Sequence, residues 1–169
     1  MPDAPIDLRE DSTSRTSTST TILWDDGASD GGSPIIDYRI SWDRGLDEWE
    51  YLADGIIYEI YTATGLDYGT IYSYKLEARN LNGYSLYSEV VLILCAAEPP
   101  KPNTPTTTIV AGEVLFDWDE PVNHGMPLTG YEVYIRQSDL SYIIDLSVCD
   151  GEGFEVMLST QCAVALATL

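Results

Sequence analysis

Lysine is nearly absent from this sequence: Lys75 and Lys101 are the two in 169 residues, and 8 basic side chains face 28 acidic ones. A net charge of −20 repels phosphate backbones and anionic lipid, which argues against nucleic-acid partners and membrane surfaces and favours cations and basic proteins. A single histidine, His124, has no serine in a nucleophile elbow to serve, and no Gly-Lys-Ser/Thr run cradles a phosphate. No enzyme and no cofactor are therefore expected. The longest apolar run, 90–97, falls far short of the ~18 residues of a membrane span. The start MPDAPIDLRED lacks the basic and apolar parts of a signal peptide, and the chain can be an internal piece of something larger. There is no Asn-x-Ser/Thr acceptor, and Arg44-Gly45-Leu46-Asp47 is not an Arg-Gly-Asp tripeptide.

What is plentiful is tyrosine, 12 residues against two Phe, together with Thr, Val and Ile punctuated by Pro and Gly. That composition reads as all-β, and no stretch sustains a helical period. Strands are expected near 4–10, 20–24, 36–42, 48–53, 58–64, 70–80 and 86–94. Residues 70–80 alternate cleanly: Tyr72, Tyr74, Leu76 and Ala78 share one face, and Ser73, Lys75, Glu77 and Arg79 the other. The charged face is expected to look at water, so that the sheet is covered on one side only. In 36–42, Ile36, Tyr38, Ile40 and Trp42 are expected to face the core. Asn82-Gly83 signals a hairpin turn.

The chain also repeats itself. Ile22-Leu23-Trp24-Asp25-Asp26 resembles Leu115-Phe116-Asp117-Trp118-Asp119-Glu120, and Ser33-Pro34-Ile35-Ile36-Asp37-Tyr38 resembles Met126-Pro127-Leu128-Thr129-Gly130-Tyr131. Trp to Trp is 94 residues (118 − 24) and Tyr to Tyr is 93 (131 − 38), the length of one small sandwich. Glu98-Pro99-Pro100-Lys101-Pro102 separates the copies as a stiff linker.

Trp24, Tyr38 and the run Thr64-Gly65-Leu66 … Thr70-Ile71-Tyr72 … Leu76-Glu77-Ala78-Arg79-Asn80 resemble the fibronectin type III family. The resemblance implies two tandem immunoglobulin-like β-sandwiches: module one over 1–95, a linker over 96–102, and module two over 103–169. It implies a structural core at Trp24, Tyr38 and Tyr72, with Trp118 and Tyr131 as the matching pair, and a Tyr72 hydroxyl bonded back to the preceding turn. It also implies protein partners: structural and interaction modules of a larger extracellular or cell-surface protein, or alternatively of an intracellular cytoskeletal or ciliary array.

Three carboxylates, Asp25, Asp26 and Asp30, share one Gly-rich loop and form the candidate Ca²⁺ site, set against a bare solvated acidic loop. Cys149 and Cys162 bracket a Gly-containing insertion and are expected to form a disulfide; two small buried apolar side chains are the alternative. Cys95 is left over. Leu166-Ala167-Thr168-Leu169 looks like Ala63-Thr64-Gly65-Leu66 displaced by 103 residues (169 − 66). On that alignment everything in copy one from Asp67 to Leu94 lacks a counterpart. The strand carrying Tyr131, Val133 and Ile135 would then have an open edge that invites strand addition, with three outcomes: the chain is a piece of a longer protein, the module is completed in trans by a neighbouring subunit, or the tail is disordered.

Overall fold

The computed structural model describes residues 1–166. It divides into two compact units: Met1–Glu98 with His124–Met126, and Pro99–Asn123 with Pro127 onward. Both are β structures in tandem, and among the described residues the second sandwich has no counterpart of the last strands of the first.

In the first unit the strands are β1 (Ile6–Glu10), β2 (Ser19–Asp25), β3 (Asp37–Trp42), β4 (Glu50–Ile56), β5 (Ile60–Thr64), β6 (Ile71–Asn80), β7 (Gly83–Tyr84) and β8 (Val91–Leu94). One sheet has the order β1-β2-β5; the other has β4-β3-β6, with β7 and β8 pairing opposite ends of β6. Alternating side chains from both sheets meet in a core of Ile22, Trp24, Tyr38, Ile40, Tyr72, Tyr74, Leu76, Ala78 and Ile93. The indole of Trp24 meets the ring of Tyr38 edge-on, 5.3 Å between centroids. Tyr72 accepts the Asp67 N–H at 2.9 Å, which pins the turn before β6. Asp43, just after β3, accepts the N–H groups of Gly45 and Ser73 at 2.8 and 2.9 Å. Burial alone would push its carboxyl up, but these donors outweigh that and hold it below the usual Asp value.

Several local expectations need correction. Ile36 precedes β3 and is exposed, whereas Asp37 and Ser41 on the supposed outer face are buried. The closing strand expected over 86–94 spans only Val91–Leu94, and Ser85 and Ser88 lie between it and β7. Their Oγ atoms accept the N–H groups of Ala78 and Leu76, both at 3.0 Å, where a ladder partner would otherwise sit. The hairpin forms one residue earlier than Asn82-Gly83: its turn is Leu81-Asn82, with Asn80 paired to Gly83, which opens β7 at φ +112°, a conformation that favours glycine.

The second unit contains β9 (Thr106–Val110), β10 (Glu113–Asp117), β11 (Ile135–Arg136), β12 (Tyr142–Ile143), α1 (Phe154–Ser159) and β13 (Gln161–Ala165). Its sheets are β9-β10-β13 and β11-β12. Register shows what each strand repeats. Ile22 opposite Tyr61 recurs as Phe116 opposite Cys162, and Trp42 opposite Glu50 recurs as Ile135 opposite Ile143. Trp118 donates its backbone N–H to Thr160 as Trp24 does to Glu59. The offset is therefore 94 at β10, 93 at β11 and β12, and 101 at β13 (162 − 61). Ala63 corresponds to Val164, two residues earlier than the displacement of 103 places it, and the rest of that proposed match, 167–169, lies outside the described residues. The difference of eight (101 − 93) is the insertion holding α1, a helix of 6 residues too short to show a period in sequence.

Trp24→Ala removes the largest buried side chain of the first core and is expected to cost about 3–5 kcal/mol in denaturant unfolding. Asp43→Ala leaves two backbone donors unmet, an expected loss of about 1–3 kcal/mol at neutral pH. A carboxyl held low in the folded state stabilises above its unfolded pKa, and that contribution fades as pH falls through the folded value. The gap between Asp43→Ala and the parent should therefore narrow as pH drops below 3.8, read from melting curves across that range.

Candidate functional site

The acidic loop does not gather its carboxylates. Asp25 faces Arg9 at 3.4 Å, Asp26 accepts the Tyr38 hydroxyl proton, and Asp30 accepts the Gly32 N–H at 2.8 Å. Each is engaged separately, and among the described residues no three His, Cys, Asp or Glu side chains are set to hold a metal. Tyr38 also donates to Glu59 at 3.2 Å. Burial first, and then the Asp26 carboxylate, push its phenol far above the ordinary tyrosine value, so it is a permanent donor.

The outer face of the β4-β3-β6 sheet is not the bare charged surface that alternation suggests. Lys75 Nζ lies 3.9 Å from the Trp49 ring centroid and 4.2 Å from that of Tyr87. The Arg39 guanidinium lies 4.4 Å over Tyr51 and 3.9 Å over Tyr84, and also grips Glu77 at 2.7 Å. Arg79 lies 5.6 Å from the Tyr84 ring centroid and binds Asp37 through Nε at 2.7 Å. Cations and rings thus interleave across the face, each contact contributing about 0.5–2 kcal/mol depending on desolvation. This cover explains why Asp37 and Glu77 are buried. The Ser85 and Ser88 clasps hold Tyr84 and Tyr87 in place against β6. The signal in the sequence was the aromatic spacing Trp49-x-Tyr51 and Tyr84-x-x-Tyr87 flanking the basic residues of β3 and β6. Trp49, Tyr51 and Tyr87 remain 41%, 62% and 43% exposed, so the cover is itself an aromatic surface.

The second unit presents a different kind of surface. Trp118 meets Tyr131 edge-on at 5.3 Å, the same distance as Trp24 from Tyr38. Cys149 is disulfide-bonded to Cys162 with Cα atoms 5.5 Å apart, tying the insertion to β13. In the chain-entropy account a loop of this length gains about 3 kcal/mol from closure. Beside this small core opens a cleft of about 500 Å³, walled by 101–105 and floored by Phe116, Trp118, Tyr131 and Val133. In the first unit β6 pairs with β3 over Asp37–Trp42. Their counterparts in the second unit, 130–135, have no such neighbour among the described residues. Only Ile135 and Arg136 reach a ladder at all, on the β12 side. Cys95 is a buried free thiol whose Sγ approaches the Ser17 carbonyl at 3.4 Å.

Comparison with known proteins places these features. The fibronectin type III domain profile matches residues 3–93, more than half of the chain. Chicken fibronectin type-III domain-containing protein 3a is 27% identical over 153 residues, covering 79% of this chain and 12% of that protein. Human receptor-type tyrosine-protein phosphatase F is 28% identical over 138 residues, covering 79% and 7%. Drosophila titin is 30% identical over 132 residues, covering 72% and 1%. The chain thus spans a small part of each of these relatives. Among solved structures, titin domains superpose with a TM-score of 0.51 at 26% identity, covering 56% of this chain and 32% of that one. With the profile match, the paired sheets and the Tyr72 turn in agreement, the chain belongs to the fibronectin type III domain family.

Proposed function

We propose that this chain supplies non-catalytic structural and protein-interaction modules to a larger multi-domain protein: module one over 1–95, a Pro-rich joint over 96–102, and module two over 103–169. The observation that carries this is the contrast between the two cores. The first is closed by β6 and β8. The second leaves an apolar cleft beside a strand that, among the described residues, has no neighbour on one side, an arrangement suited to protein backbone rather than a small substrate. We take self-association through this edge as its use in the isolated chain. The setting is extracellular or cell-surface, supported by the Cys149–Cys162 disulfide and the likeness to a receptor-type phosphatase. The alternative, an intracellular cytoskeletal or ciliary array, is supported by the likeness to titin and by the free Cys95.

Sedimentation of the 169-residue chain should show association that rises with concentration; a clean monomer throughout, with the second module fully protected in hydrogen exchange, overturns this use of the edge. Alkylation of denatured, unreduced protein from its native compartment should label one thiol, Cys95. Three labelled thiols would transfer the setting to the cytosolic alternative.

A further inference from the structure

The strand β4 is the outermost of its sheet: it pairs with β3, and among the described residues nothing pairs with its other side. The chain continues from it into β5, which belongs to the opposite sheet, so this free side is a feature of the sandwich itself. Residues two apart on a strand share a face. Tyr51 on β4 lies opposite Ser41 on β3, which in turn lies opposite Lys75 on β6. The short, buried Ser41 lets the longer side chains around it meet above it. Two rows of alternating rings and cations cross the outer face there. One runs Trp49, Lys75, Tyr87, and the other Tyr51, Arg39, Tyr84, Arg79. Each row ends at β4 in a ring, and the cation over that ring reaches it from the β3 side. The opposite faces of Trp49 and Tyr51 therefore look outward past β4. Their exposures of 41% and 62%, with one face of each already covered, agree with this. Both faces of an aromatic ring carry the same negative quadrupole, so the next place in each row suits a cation.

The charge around these rings has the matching sign. Glu48, Glu50 and Asp54 flank them and are all exposed. Glu50 is shared with Arg44 at 3.3 Å, whereas Glu48 and Asp54 form no ion pair among the described residues. We propose that the free side of β4 takes an extended basic segment of another protein, with Arg at alternate positions, two of whose guanidinium groups stack on the outward faces of Trp49 and Tyr51. The cations stand two apart because the rings do, and facing residues of a strand pair bring their Cβ atoms within about 4.5–5.5 Å. Arg fits better than Lys, because its planar guanidinium stacks on a ring and still reaches a carboxylate. The added strand is satisfied by the backbone of β4, and the alternation of its side chains gives the selectivity. The occupant is not a second copy of these 169 residues, in which no two of the eight basic side chains stand two positions apart. The site lies wholly within module one, so it stands or falls separately from the use proposed for the second-module edge.

The test is fluorescence anisotropy of two dye-labelled peptides with the full chain at about 0.15 M ionic strength, where attraction by net charge alone is largely screened. One peptide repeats Arg-Thr. The other repeats Arg-Arg-Thr-Thr, which has the same composition and charge but never places two Arg two positions apart. The alternating peptide is expected to bind about fivefold tighter or more. Trp49→Leu and Tyr51→Leu should each weaken it about three- to tenfold, whereas Tyr51→Phe, which keeps the ring, should bind as the parent does. Asp54→Asn should weaken binding about two- to threefold, and Glu155→Gln, the same loss of charge in the second unit, should leave it unchanged. An unchanged circular dichroism spectrum and melting curve show that each variant has folded. Hydrogen exchange should show amides of β4 gaining protection when the alternating peptide is bound. Equal affinity for the two peptides, ring variants that bind as tightly as the parent, or no binding of the alternating peptide each overturn the proposal.

Discussion

An indole set edge-on against a tyrosine ring fastens the two sheets of each module, and the rest of the fold is arranged around that contact. Trp24 lies on β2 and Tyr38 on β3, strands of opposite sheets, and the contact recurs at the same distance between Trp118 and Tyr131. Both indole N–H groups are buried without a hydrogen-bond partner. Such an orphan costs about 1–3 kcal/mol, yet both copies keep it. Aromatic packing across the sheets thus outweighs polar satisfaction at this position. The contact is kept even in the second module, where the described residues form fewer strands around it.

The repeat was legible because Trp is scarce, four in the chain, and the Trp and Tyr landmarks recur at offsets of 94 and 93, which fixes the register of β2 against β10 and of β3 against its counterpart. The offset at β13 was not legible to the residue. Small side chains such as Ala63, Val164 and Leu166 do not distinguish registers two apart, and the backbone ladder decides between them. Alternation correctly sorted β6 into two faces but could not say what covers the outer one. The aromatic side chains that do so come from β4 and from the stretch around Ser85 and Ser88, remote in sequence from the cations that they hold. The loop carboxylates Asp25, Asp26 and Asp30 are close in sequence, yet each has its own partner nearby, a distribution that sequence proximity alone does not reveal.

The two modules show how much one central strand contributes. In the first, β6 supplies Tyr72, Tyr74, Leu76 and Ala78 to the core and the cations of the outer face, and both β7 and β8 pair with it. With no equivalent among the described residues, the second core shrinks to a cluster around Trp118, Ile135, Cys149, Cys162 and Val164. The disulfide then lies inside that cluster, a covalent tie where apolar area is scarce.

Among the described residues, six of the eight basic side chains are already engaged within the chain. Arg9, Arg15, Arg39, Arg44 and Arg79 each hold a carboxylate, and Lys75 is held between two rings. Lys101 and Arg136 remain. To its surroundings the protein is accordingly a polyanion wrapped in a cloud of small counter-ions, with almost no positive site of its own to offer. Its encounters with other macromolecules are governed by that ionic atmosphere, through the entropy of the ions released or confined on approach. A rare uncovered cation then acts as an address more than as a source of attraction, marking the few places where another acidic surface can come close.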